Sequence, residues 1–274
     1  MSVLQAVFLG IVQGLTEFIP VSSSGHLNLC EYFFKIDTGE SQTFFNVCLH
    51  LGTLFAVCFV YYKDIIEILK DLVKIIPDTI HKNQSERPET RRLIYLVVIS
   101  LLPLFVIFPF GHKIAEAFST PLPIASALAV TAVMMFLLSA TKAGKKTITK
   151  IKWVDALLIG IFQAIAITPG ISRSGATIYA GMQTGMSRKL AVKFSFIMSI
   201  PTILAAVLLD AKDALSTGID YSLLGAYLIG MITAALVGLF AIKVVNYIAE
   251  KNNFKVFGFY CITLSVIVLI ASFF

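Results

Sequence analysis

Charge is what this 274-residue chain most lacks: 14% of it is Asp, Glu, Lys or Arg, against 57% hydrophobic residues. A soluble domain carries roughly 25% charged residues, so there is too little charge here to coat a water-facing surface. The apolar runs are continuous rather than alternating, which excludes an outer-membrane barrel. The four cysteines, Cys30, Cys48, Cys58 and Cys261, are scattered without Cys-x-x-Cys spacing. They are read as buried free thiols, not as a zinc site or disulfide framework. No basic residue precedes Lys35, so the N-terminus lacks the basic n-region of a secretory signal and is read as part of the mature protein. His-x-x-x-His, Asp-rich and Walker-type phosphate loops are also missing. The net charge of +6 sits in loops, where it sets membrane orientation and meets anionic headgroups rather than nucleic acid.

What is present is a repeat. Gly10-Ile-Val-Gln13-Gly-Leu-Thr-Glu17-Phe-Ile-Pro20-Val-Ser22-Ser-Ser24-Gly25-His26 is matched, 150 residues on, by Gly160-Ile-Phe-Gln163 through Pro169-Gly-Ile-Ser172-Arg173-Ser174-Gly175. Each is an apolar helical run that stops at a proline and opens into a Ser/Gly turn. Thr53, Ala56, Lys63 and Asp64 continue the match on Thr202, Ala205, Lys212 and Asp213, 149 residues on. Six runs, about 42–62, 93–111, 122–141, 190–209, 222–242 and 254–273, are long enough to cross a bilayer at about 20 residues each. Stretches 3–34 and 153–187 are broken by Pro20 and Pro169, and neither half of either is long enough to cross. The expected fold is an all-α polytopic membrane protein: six transmembrane helices plus two re-entrant helix-turn-helix hairpins, with no soluble domain.

Loop charge orients this map. Segment 142–152 holds Lys142, Lys145, Lys146, Lys150 and Lys152 and no acid; segment 63–92 holds seven Lys/Arg; segment 243–255 holds Lys243, Lys251 and Lys255. All three go to the cytoplasm by the positive-inside rule, while 210–221, with Asp210, Asp213 and Asp220 against Lys212, goes outside. Both termini are then outside. Three spans separate the hairpins, so one enters from each side. That makes an inverted-topology repeat within a single membrane domain, its first repeat at 1–141 and its second, with the basic linker, at 142–274. In such repeats the site lies near the midplane, where the broken helices meet. Asn83-Gln84-Ser85-Glu86-Arg87-Pro88 reads as a cytoplasmic loop.

Glu17 and Arg173 are charges at membrane depth, which cost about 2.5–3.5 kcal/mol each on insertion scales. Such charges either tie the hairpins together as an ion pair or form a polar site. Around Arg173, Ser172, Ser174 and Thr177 offer hydroxyls, and Gly170 and Gly175 permit a sharp turn and close backbone approach. A helix opening near 174 presents free N–H groups to an anion, and the arginine fork suits a pair of phosphate oxygens. Gln13 and Glu17, four apart, share a helix face, and Ser22, Ser23, Ser24 and His26 follow on the turn. Serine and histidine supply nucleophile, acid or base. His26 stands in that company, whereas His50, His81 and His112 are read as structural. Glu17 with a substrate phosphate also suits a divalent ion.

The two motifs, Gln13 to His26 and Pro169 to Thr177, together with the flanking spans, resemble the bacterial undecaprenyl-diphosphate phosphatases, the bacitracin-resistance family, over essentially the whole chain. The resemblance implies an inner-membrane hydrolase. It would remove the terminal phosphate of undecaprenyl diphosphate and return the lipid carrier to cell-wall synthesis. It implies a site open to the outer face and a divalent cation, Mg²⁺ or Ca²⁺. It assigns Glu17, Ser23, His26 and Arg173 to catalysis and Glu17 to the metal. Gln13, Ser22, Ser24, Ser172, Ser174, Gly175 and Thr177 would surround the substrate. The implied partners are the polyprenyl diphosphate and membrane lipid; a homo-oligomer is compatible with the sequence. One departure is Gln13, often Glu in the family, which cannot ionise and leaves Glu17 alone to charge a metal site. Sequence leaves the nucleophile open among Ser23, His26 and water. The alternative from another class is a transporter or flippase of polyprenyl phosphate lipids, since inverted repeats around a midplane site also serve carriers.

Overall fold

The computed structural model describes residues 1–36, 42–81 and 85–273. Among these residues there is no strand, only a single bridge between Lys146 and Met186. Twelve α-helices follow in order: α1 (Val3–Phe18), α2 (Ser23–Phe34), α3 (Gln42–Val60), α4 (Tyr62–His81), α5 (Pro88–Ile107), α6 (Gly111–Ala117), α7 (Pro121–Ala140), α8 (Trp153–Ile165), α9 (Arg173–Gln183), α10 (Arg188–Thr217), α11 (Leu224–Lys251) and α12 (Lys255–Ala271). Five segments are long and apolar enough to cross a membrane: 42–60, 88–117, 121–140, 188–216 and 221–251. The chain is a polytopic helical membrane protein. α12, at 17 residues, is apolar but shorter than these five.

The two broken stretches form helix-turn-helix pairs, α1–α2 and α8–α9. Ser2 opens α1 through a reciprocal capping box with Gln5. Ser22 and Ser172 cap α2 and α9 identically, each hydroxyl accepting from the backbone N–H three residues on, at Gly25 and Gly175. Neither pair packs mainly on its own sequence neighbours. α1 lies along α11, and α8 lies along α5; α7 packs on α12 and α3 on both α10 and α11.

Three expectations about loops are corrected. Segment 63–92 is mostly helix: α4 fills 62–81 and α5 starts at Pro88. Its apolar residues recur every three to four positions among charges, a pattern that continuous-run hydropathy misses. Segment 210–221 is helical as far as Thr217, where Gly218 (φ 107°) ends α10. Lys243 and Lys251 lie within α11, which continues to a left-handed cap at Asn252 (φ 53°). Leaving the apolar zone does not end a helix; a residue able to take positive φ does. Asn83, Gln84 and the side chain of His81 lie outside the described residues.

Candidate active site

The turns at 19–22 and 166–172 meet. A Cβ on Gly25 would stand 2.9 Å from the Cα of Gly170, and a Cβ on Gly175 would stand 3.2 Å from the Cβ of Pro20. Ser22 bridges them: its Oγ accepts from Gly170 N–H (3.0 Å) as well as from Gly25 N–H (3.4 Å). This serine holds φ at 75°, a strained region for a residue with a side chain. Its carbonyl is fixed in turn by the ring Nδ1 of His26 at 2.7 Å.

Within this contact Glu17 collects three donors. Arg173 Nη2 donates to Oε1 at 2.5 Å; Ser23 Oγ and Gln13 Nε2 donate to Oε2 at 2.7 and 3.1 Å. The two charges expected at membrane depth therefore do form an ion pair between the hairpins. The pair does not exhaust either partner's surroundings. Arg173 Nη1 is buried without an acceptor, and Gln13 Oε1 is buried without a donor. An unsatisfied buried polar group costs about 1–3 kcal/mol, more when charged, so one arm of the guanidinium is left wanting an anion. A pocket of about 40 Å³ opens on Arg173 and Glu17, lined also by Thr16, Ser22, Ser23, Ser24, Ala166, Ile171 and Ser172.

The other sequence candidates stand around this pocket rather than in it. Gln13 supports Glu17 from below. His26 has both ring nitrogens engaged elsewhere: a carbonyl only accepts, so Nδ1 carries the proton, and Nε2 accepts from Tyr260 Oη at 2.7 Å. Ser174 pairs with Ser172 Oγ at 3.2 Å. Gly175 packs against Met135. Thr177 turns away, bonded to the Arg173 carbonyl (2.9 Å) and to Ser195 Oγ (2.6 Å).

Two residues that hold the site went unremarked in the sequence. Thr131 of α7 donates to the carbonyl of Gly170 (2.8 Å) and accepts from Ser172 N–H (3.0 Å), clamping the second turn. Tyr260 of α12 stacks on His26 with centroids 5.6 Å apart and clamps the first. The only signal for either was a lone hydroxyl in an apolar run. His50 of α3, read as structural, bonds the carbonyl of Asn46 on its own helix at 2.9 Å.

Next to the pocket an apolar groove of about 440 Å³ runs between α5 and α8, lined by Leu102, Pro103, Val106, Ile107, Leu157, Ile161, Ala164 and Ile165. Its last lining residue immediately precedes Ala166, which lines the polar pocket. A family model described as "Bacitracin resistance protein BacA" matches residues 6–267. Proteins named undecaprenyl-diphosphatase are similar over almost their full lengths. That of Alkaliphilus metalliredigens is 37% identical over 274 residues (99% of each chain). That of Halothermothrix orenii is 36% identical over 273 (99% of each). That of Thermosipho africanus is 38% identical over 263 (95% of this chain, 97% of the relative).

Proposed function

The chain belongs to the bacitracin resistance protein family, and on that premise we propose how its two meeting turns hydrolyse undecaprenyl diphosphate to undecaprenyl phosphate and inorganic phosphate. The carrying observation is a serine hydroxyl seated on a carboxylate beside a half-satisfied arginine. Arg173 Nη1 takes an oxygen of the terminal phosphate while Nη2 keeps Glu17. Ser23 Oγ attacks that phosphorus and the anhydride P–O bond breaks. The Ser23 proton passes to Glu17 and on to the departing phosphate oxygen. In the second half Glu17 takes a proton from water, the water oxygen replaces Ser23 on phosphorus, and the proton returns to Ser23. Stabilising the charge on the transferred group is the main task in phosphoryl transfer, and Arg173 supplies it. His26, with both nitrogens spent, holds Ser22 in place rather than attacking.

Gln13 Oε1, Glu17 and Ser23 are hard oxygen donors, one of them unpartnered, a set that suits Mg²⁺ or Ca²⁺. Bound there, a divalent ion would supply neutralising charge to the phosphate; Glu17 alone among these residues contributes a negative charge.

The pocket between the turns is small, about 40 Å³; the two turns part to admit the diphosphate, and the prenyl chain lies in the α5–α8 groove. α1 and α8, of 16 and 13 residues, extend about 24 and 20 Å at 1.5 Å per residue, short of a hydrocarbon core of about 30 Å. They are read as re-entrant arms, with α12 as the sixth span and an inverted repeat dividing near 141. The basic segments 63–92 and 142–152 face the cytoplasm, and the site serves the outer leaflet of the inner membrane.

Phosphate release from undecaprenyl diphosphate by purified wild type, Glu17→Ala and Arg173→Ala, each with Mg²⁺ and with EDTA, tests this. Metal-dependent release lost in both variants is expected. Arg173-dependent binding without release by folded wild type would replace the enzyme with a lipid-phosphate carrier, which needs the arginine but not the Ser23–Glu17 bond.

A further inference from the structure

Helix α4 turns acids toward its neighbours and leaves an apolar stripe bare. Asp64, Asp71 and Asp78 recur every seven residues, and all three turn into the protein. Asp64 meets Lys193 of α10 at 2.5 Å, Asp71 meets Arg91 of α5 at 3.0 Å, and Asp78 meets the same Arg91 at 2.6 Å. Ile66, Leu69, Val73, Ile76 and Ile80, spaced three and four apart, are exposed, Val73 by 77%. Ile65 and Ile68 pack on the core as well, so this helix carries more apolar surface than its packed side uses. A contiguous bare stripe of this size marks an interaction surface.

Where the helix hangs identifies what covers it. One residue separates α4 from the end of α3, and α5 begins at Pro88; both neighbours are long enough to cross a membrane. α4 is therefore fixed at the level where two crossing helices emerge at the same end of the bundle. Lys63, Lys70 and Lys74 run along one flank of the stripe. The lysine-rich segment 142–152 sits at the same end, because Arg92 of α5 bonds the carbonyls of Ile148 and Ile151. An apolar stripe bordered by cations fits the boundary between acyl chains and anionic headgroups.

We propose that α4 is an interfacial helix lying in the plane of the leaflet at that end of the bundle, its stripe sunk among the upper acyl chains and its lysines among anionic headgroups. The inference does not depend on the reaction assigned to the hairpins. The chain's single tryptophan, Trp153, makes the test direct. In a Trp153→Phe background, one variant carries Val73→Trp, a second Ile76→Trp and a third, on the charged side, Glu67→Trp. Each full-length chain is placed in phosphatidylglycerol–phosphatidylethanolamine vesicles, with lipids brominated near the headgroup end or near the chain end. The tryptophans at 73 and 76 should be quenched several-fold more by the shallow bromines than by the deep ones and be shielded from iodide. The tryptophan at 67 should be quenched by iodide. Equal iodide quenching at 73 and 67 would overturn the proposal in favour of a solvated helix. Protection at 73 and 76 from both bromines and iodide would overturn it in favour of a protein partner or a second copy.

Discussion

One added methyl group distinguishes the two turns. Gly25 and Gly175 are equivalent in the repeat, yet their surroundings differ in how they can yield. Alanine at 25 places Cβ 2.9 Å from Gly170 Cα and 3.0 Å from Gly170 N, both backbone atoms of the opposite turn. Carbon atoms prefer about 3.5–4.0 Å, so the turns must part by roughly half an ångström. That stretches the Ser22–Gly170 hydrogen bond beyond its present 3.0 Å. Overpacking costs about 1–3 kcal/mol and the weakened bond about 1 kcal/mol, while Gly→Ala in a helix returns about 0.5–1 kcal/mol; the net loss is about 1–3 kcal/mol. At 175 the nearest atom is the flexible tip of the buried Met135, at 2.8 Å, with the Cβ atoms of Pro20 and Ser172 at 3.2 and 3.3 Å. The clash is milder than at 25, and the helix gain offsets most of it. Displacement of reacting groups by about 1 Å costs on the order of 10²-fold in rate. Gly25→Ala should thus lose on the order of tenfold or more in kcat as well as several degrees in Tm, while Gly175→Ala changes little in either. Thermal unfolding in detergent and phosphate release read both. Equal losses in the two variants, or a worse Gly175→Ala, would refute the argument that Gly25 and Gly170 set the approach of the turns.

Other perturbations probe separate parts of the reasoning. Ser23→Ala should keep its fold, since Glu17 retains Arg173 and Gln13, and lose activity on the order of 10³-fold or more; turnover near wild type would remove Ser23 as nucleophile, and a trapped phosphoserine would secure it. Gln13→Glu places two carboxylates together, so Mg²⁺ should raise its Tm more than that of wild type; no difference would take Gln13 out of the metal's reach. Tyr260→Phe keeps the ring but removes the donor to His26 Nε2, and kcat should fall about tenfold with KM nearly unchanged. Nitrogen NMR of wild type should show the proton on Nδ1, and a proton on Nε2 would contradict the clamp. The hydrogen bond from Arg91 holds the Asp71 carboxyl below its ordinary 3.8. The stability it contributes is present above that unfolded value and lost as pH falls through the lower folded one. Wild type should be more stable than Asp71→Asn at neutral pH, modestly because Asp78 still holds Arg91, and the gap should narrow as pH falls below about 4; an offset constant down to pH 2 would show that the charge of Asp71 is not what matters.

The hairpins were legible because their chemistry is local. A proline, a Ser/Gly turn and one charge in an apolar run mark each, and the repeat marks them as a pair. Glu17 and Arg173 stood out for the same reason, and they meet at 2.5 Å. Thr131 and Tyr260 were illegible because their partners lie 39 and 234 residues away, and a single hydroxyl among aliphatics carries no pattern. Thr177 shared the motif of Arg173 but faces Ser195; proximity along a helix does not fix which side faces the pocket. The long ends of α10 and α11 escaped because hydropathy reports where lipid stops, not where backbone hydrogen bonding does. α4 escaped because its periodicity, rather than its mean, is apolar.

The crossed packing of α1 on α11 and α8 on α5 has a consequence for how the protein is made. Helix α1 rests on one that begins about 220 residues later. At about 5–20 residues per second, that is ten seconds or more of synthesis. Gln13 and Glu17 are translated about 150 residues before Arg173, and the α11 wall follows about 50 residues after that. Only when α11 arrives does α1 find its permanent seat, so the polar centre is completed late although its Gln13–Glu17 half is translated well before the rest.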